Sequence, residues 1–84
     1  MKMNNQELID KLKVIVKPYI QNEEAYQNLT EATKFIEDLK INSANLVDVI
    51  LDVEDEFDIE IEDEEMEQML DVKSSIEIIT KKIA

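Results

Sequence analysis

The sequence contains no cysteine and no histidine. That removes in one step disulfide frameworks, thiolate nucleophiles, imidazole bases and every zinc site built from those side chains. Most familiar enzyme chemistry goes with them. Glycine is absent and proline occurs once, so no turn can use the residue best suited to positive backbone angles, and asparagine or a longer connection is expected to serve. No stretch approaches the roughly 20 apolar residues needed to span a bilayer. The start, MKMNNQELID, turns polar and acidic where a signal peptide would turn apolar. A soluble, cytoplasmic protein without membrane insertion is expected.

Basic residues are scarce: 9 against 21 acidic ones, a formal net charge of -12. Such a field repels nucleic acid and anionic membranes, so the expected partners carry basic patches. With 84 residues the chain makes one domain, 1–84, too short to enclose a large active site. A chain this charged is compatible with disorder. However, its 44% hydrophobic residues recur at helical spacing, which argues for a folded core.

Asn4 and Asn5 can cap a first helix whose apolar stripe runs through Leu8, Leu12, Ile15 and Tyr19, and Pro18 ends it near Lys17. From Pro18 to Asn42 periodicity is weak. Tyr26, Leu29, Phe35, Ile36 and Leu39 can tack this segment, a long structured loop with room for one short helical turn, onto the core. The clearest element runs from about Ser43 to Phe57, with Leu46, Ile50, Val53 and Phe57 on one face and Asn42 as its cap. Ile59 and Ile61 alternate with acids but find no partner strand, so an extended connector is expected. Asp63 can cap a short helix over roughly 64–69 that turns Met66, Met69 and Leu70 inward. Val72, Ile76, Ile79 and Ile83 carry a last helix, with Lys81 and Lys82 at its favourable end. The expected fold is all-α, a four-helix bundle with three main helices, one short helix and a long first loop.

One segment carries the functional signal. Phe35, Asp38 and Leu39 form a Phe-x-x-Asp-Leu element; Asn42, Ser43 and Ala44 follow; then comes an acidic helix closing on Asp55, Glu56, Phe57 and Ile59. Ile61, Asp63, Glu67, Met69 and Val72 continue the pattern. Without a gap from Phe35 to Met69, this segment resembles the central signature of acyl carrier proteins. In that family the serine of an Asp-Ser-Leu motif carries phosphopantetheine. The resemblance implies a non-catalytic carrier in which Ser43 bears 4'-phosphopantetheine, taken from coenzyme A by a phosphopantetheinyl transferase, with Asn42 as the helix cap beside the phosphate. The arm's thiol would hold acyl intermediates for acyl-transferring, condensing and reducing enzymes of fatty acid or polyketide-type pathways. Ala44, Val47, Asp48, Leu51, Glu54 and Asp55 would form the face that docks those enzymes, the carrier itself acting as a monomer.

The motif departs from the family pattern at Asn42, where an aspartate is usual, at Ala44, where a leucine is usual, and at Asn45, where an acid is usual. The glycine often found shortly before the serine is also missing, its place filled by Lys40 and Ile41. Blander readings stand beside the carrier one. Ser43 as a simple first-turn residue, and Val47 and Leu51 buried beneath Phe35 and Ile36, both remain open. So do a peptidyl or D-alanyl carrier and an unmodified adaptor that binds a basic surface. The acids between Asp52 and Glu65 lack the central glycine and loop spacing of an EF-hand, so no metal site is expected. Met66 and Met69 read as core packing.

Overall fold

The computed structural model describes residues 4–83. Five α-helices follow one another: α1 (Asn5–Val16), α2 (Glu23–Gln27), α3 (Ser43–Phe57), α4 (Asp63–Met66) and α5 (Val72–Ile83), with a 3-10 turn at Lys17–Tyr19. The long helices carry the core, and α1 packs against both α3 and α5.

The helix α1 starts where its cap dictates. Asn4 Oδ1 accepts from the Glu7 amide at 2.8 Å while Glu7 Oε1 accepts from the Asn4 amide at 3.4 Å, a reciprocal box that satisfies two opening donors. Leu8, Leu12, Ile15 and Val16 are buried. Tyr19 does not extend the helical stripe as its spacing suggests: Pro18 opens the 3-10 turn, and Tyr19 lies at its end. From there its hydroxyl donates to Asp52 Oδ2 at 3.1 Å. That hydrogen bond first, then burial and the negative charges of Asp52 and Asp48, push the hydroxyl's pKa up, keeping it protonated and donating.

The short helical turn for which the long first loop has room is α2. Asn22 Oδ1 caps this helix through the Ala25 amide at 3.2 Å. Tyr26 fastens it to α1 by donating to the Lys13 carbonyl at 3.1 Å, with Lys13 Nζ standing 5.2 Å from the centre of its ring. A five-residue helix with no buried residue is too short to leave a readable period.

Two further expectations are corrected around α4. Glu62, not Asp63, is its N-cap, with the Glu62 amide donating to Glu65 Oε1 at 3.0 Å. The helix stops at Met66, so Met69 is buried but Leu70 points outward, 55% exposed. Its carbonyl instead accepts from the Phe35 amide at 3.1 Å, and Lys34 and Asp71 form an isolated antiparallel bridge beside it.

Without glycine, the left-handed positions fall to Lys40 (φ 59°) and Asp58 (φ 53°) rather than to asparagine. Asp58 ends α3: its own amide and that of Ile59 both donate to the Glu54 carbonyl, the closure that glycine usually makes. Asp58 also places a negative charge at the negative end of the helix dipole. Replacing it by glycine is expected to raise stability by about 1 kcal/mol, read as a melting temperature higher by roughly 4 to 8 °C for a domain of this size. Lys40→Gly is expected to behave alike.

Lys82, near the end of α5, holds α4 in place through Glu65 Oε1 at 2.8 Å, both side chains being mostly buried. The hydrogen bond from Lys82, then that from the Glu62 amide, hold the Glu65 carboxyl below its usual 4.5. Its bond to Glu65 raises Lys82 above its usual 10.5. A lowered acid stabilises the fold above its unfolded pKa and loses that contribution as pH falls through the folded one; a raised base does the converse. The melting-temperature gap between wild type and Lys82→Met is therefore expected to be widest at neutral pH. It should close on acidification below 4.5 and on alkalinisation above 10.5.

Candidate functional site

Three buried side chains, Phe35, Leu39 and Ile41, pull the segment before α3 onto the core. Backbone bonds then fix its path. The Phe35 amide donates to the Leu70 carbonyl and the Ile41 amide to the Phe35 carbonyl, both at 3.1 Å, while the Gln21 amide donates to the Leu39 carbonyl at 3.0 Å. Asp38 Oδ2 accepts from the Lys34 amide at 2.8 Å, and the Asp38 carbonyl accepts from Asn22 Nδ2 at 3.0 Å. The acid of the Phe-x-x-Asp-Leu element thus ties a loop.

From this anchored loop the chain turns at Lys40, buries Ile41 and leaves Asn42 extended (φ -62°, ψ 137°) as the N-cap of α3. Asn42 Oδ1 accepts from the Ala44 amide at 2.9 Å, and its carbonyl accepts from the amides of Asn45 at 2.8 Å and Leu46 at 3.1 Å. The cap is therefore made by Asn42 rather than by Ser43, the first residue of the helix, which lies exposed. No acid stands in this first turn, and the Ser43 amide is among those that a helix start leaves without an intrahelical acceptor.

With Leu46, Val49, Ile50 and Val53 buried, α3 turns its opposite face outward. Ala44, Asp48 and Asp55 are exposed there, and Val47 and Leu51 keep 51% and 48% of their surface accessible. Phe35 covers neither: it is itself sunk in the core, and Ile36 is exposed. Glu54 differs from the other acids expected on this face. It is half-buried, and its Oε2 accepts from the Ile61 amide at 2.7 Å, so this carboxylate holds the connector after α3. Glu54→Ala strands that donor next to the buried Ile61 side chain, and a loss of about 1 to 3 kcal/mol is expected in chemical denaturation.

Sequence reasoning named the serine, its cap and the outward stripe, but missed the fastening of Asp52 by Tyr19 and of Glu56 by Lys11 Nζ at 3.1 Å. Both bonds join residues 33 and 45 positions apart, and no local pattern reports them. Among the described residues, no group of three or more acids could hold a metal ion, and no helix is long and apolar enough to cross a membrane.

The structure thus places an exposed Ser43 at the capped start of α3, beside a half-apolar outward face. Comparison with known proteins gives the class to which the chain belongs. No protein-family model matches the chain. The acyl carrier protein of Thermosynechococcus vestitus is 33% identical over 82 residues, covering 98% of this chain and 99% of that protein. That of Thermotoga maritima is 31% identical over 80 residues, covering 95% and 96%. A solved structure of the acyl carrier protein from Enterococcus faecalis superposes with a TM-score of 0.75 at 25% identity, over 95% of this chain and 99% of that one. The chain belongs to the acyl carrier protein family, and its role is that of a carrier rather than an enzyme.

Proposed function

We propose that Ser43 is the attachment point of 4'-phosphopantetheine in this carrier. A phosphopantetheinyl transferase installs the group from coenzyme A, and the loaded protein, a cytoplasmic monomer, delivers acyl thioesters to enzymes of fatty acid or polyketide-type biosynthesis. The observation that carries this reading is the exposure of Ser43 at the first position of α3 while its neighbour Asn42 does the capping. A hydroxyl committed to its own helix would have to break a bond to react; this one is spared.

The surroundings fit a phosphodiester. A helix start favours an anion through its dipole and unpaired amides, by about 0.3 to 1 kcal/mol when exposed, and the acid-free first turn of α3 opposes it with no carboxylate. When bound, the prosthetic group supplies the thiol that a cysteine-free chain lacks. The residues of the chain position it: Asn42 holds the helix end, and the buried Ile41 fixes the backbone leading to it.

Incubation with coenzyme A and a broad-specificity phosphopantetheinyl transferase, followed by intact-mass measurement, tests the reading. The expected result is a gain of one phosphopantetheine per chain. A chain that stays unmodified, and that leaves its native cell unmodified on a stable partner, belongs instead to an adaptor that binds a basic surface through α3.

A further inference from the structure

Two lysines stand in the loop that leads into α3, and only one of them is committed. Lys34 Nζ pairs with Glu37 Oε2 at 3.2 Å, and the Lys34 amide donates to Asp38 Oδ2 at 2.8 Å. Both acids of the loop are thereby engaged before the chain reaches Lys40. Lys40 itself is exposed and forms no ion pair among the described residues. With Asp58 it is one of two described residues held at positive φ, a conformation that disfavours any side chain with a Cβ. The angle lets the Ile41 amide turn back to the Phe35 carbonyl, a closure that glycine makes without strain. It does not explain why a cation stands there, and strain beside a functional residue points to a task for the side chain. Lys40 precedes Ser43 by three residues, a stretch of at most about 10 to 11 Å, which a lysine side chain and a group on the serine hydroxyl close from its two ends. Between them lie the buried Ile41 and the uncharged Asn42. Beyond the serine the first turn of α3 holds no acid to compete for the ammonium.

We propose that Lys40 is the counter-ion of the phosphodiester on Ser43, a binding residue that holds the root of the prosthetic arm beside the head of α3. The inference rests on the carrier reading and adds a residue to it. A phosphodiester keeps one negative charge throughout the neutral range, and it joins a molecule of net charge -12, where a further anion is repelled. A cation already in place offsets that repulsion locally. The contact from an ammonium to a phosphate oxygen is a charge-assisted hydrogen bond, and a lysine makes it as a flexible point charge that needs no preformed pocket. In the empty chain the same side chain meets only solvent, and its left-handed backbone is a net loss. Loading gives it a partner. Lys40 thus weakens the empty form and strengthens the loaded one.

The test is a thermal cycle on the full chain, empty and loaded to completion from coenzyme A by a broad-specificity phosphopantetheinyl transferase. The quantity read is the shift in melting temperature that loading produces. Lys40→Gln keeps a side chain and the left-handed strain but removes the charge. Its loading shift is expected to lie about 2 to 4 °C below that of the unaltered chain at low salt, as for an exposed ion pair in a domain of this size. Lys40→Arg should restore the shift, and the difference should vanish near 1 M salt, where the screening length falls to about 3 Å. The phosphorus NMR resonance of the loaded protein gives a second readout, expected to move in Lys40→Gln and to stay in place in Lys40→Arg. The control is Lys81→Gln, an exposed charge in the last turn of α5. Phe57, Lys82 and Ile83 border one cavity, which puts Lys81 at the far end of α3, about 20 Å from Ser43 along the helix. Its loading shift should equal that of the unaltered chain. Equal shifts in the unaltered chain and in Lys40→Gln overturn the proposal. So does an equal loss in the control, which would mean that only net charge is felt. If the unaltered chain accepts no group on Ser43, the carrier reading falls and takes this inference with it, an outcome distinct from full loading with equal shifts.

Discussion

Ser43→Ala abolishes loading and leaves the fold standing. The two halves of this expectation have separate physical grounds. The hydroxyl is the only group the substitution removes, and in the proposed reaction it is the atom esterified, so no other position on α3 can replace it. The helix does not depend on it, because Asn42 supplies the cap through the Ala44 amide and both flanking residues keep their bonds. Alanine is also the strongest helix former. Stability should change by no more than about 0.5 kcal/mol, seen as an unaltered thermal melt, while intact mass shows no added phosphopantetheine under conditions that load the unaltered chain completely. Asn42→Ala should show the opposite balance: the hydroxyl remains, but the helix end loses about 0.5 to 2 kcal/mol of capping.

The largest effect on the fold is expected at Phe35. It is the largest of the fully buried side chains, 1% exposed, and its backbone is bonded on one side to Leu70 and on the other to Ile41. Truncation to alanine costs about 3 to 5 kcal/mol, as for a buried aromatic ring that leaves a cavity. A domain of 84 residues holds only about 4 to 13 kcal/mol in total, so Phe35→Ala is expected to lose a large share of it, read by circular dichroism as a melting temperature lower by about 12 °C or more, at roughly 4 to 8 °C per kcal/mol. Loading should fall with it, since the Phe35 carbonyl fixes Ile41 immediately before the cap. Ile36→Ala, one residue on and exposed, should melt within about 0.5 kcal/mol of the unaltered chain. That contrast separates burial from mere membership of the loop.

The sequence reveals what is periodic and local. The bounds of α3, its cap and the first-turn place of Ser43 follow from one asparagine followed by apolar residues three and four apart, and the structure has the helix at Ser43–Phe57. The three long helices and their buried faces are legible for the same reason. What is not legible is tertiary or too short to have a period. The helix α2 is stabilised by the tie from Tyr26 to Lys13, thirteen residues away. Leu70 looks like a core residue by spacing but is turned out because its backbone serves Phe35. Lys40 and Asp58 take positive angles that their side chains do not advertise; the absence of glycine shows only that some residue must bear this cost. Ser75, wholly buried, reads as polar surface until its hydroxyl is seen donating to the Asp71 carbonyl at 3.0 Å. At the site, the residues named in advance do lie together on α3, but their division into free and committed acids is written in contacts with α1, the 3-10 turn and the connector.

That division gives the charge of this protein two uses. Some of its acids are structural: Glu54 holds Ile61, Glu65 receives Lys82, and Asp38 ties its own loop. Others lie in solvent, where they repel one another and wait for cations from outside. A molecule of net charge -12 that folds without metal-binding clusters among its described residues relies on its small core of leucine, isoleucine, valine and Phe35. Each buried contact near Ser43 therefore bears on function as well as on stability.

The most direct measurement is to load the purified chain, digest it and locate the added phosphate by fragment mass spectrometry. Every modified molecule should carry it on Ser43, with none on Ser74, Ser75 or any threonine. Phosphopantetheine found on one of those residues, or a Ser43 peptide that stays unmodified while the intact mass rises, would contradict the placement of the arm at the head of α3.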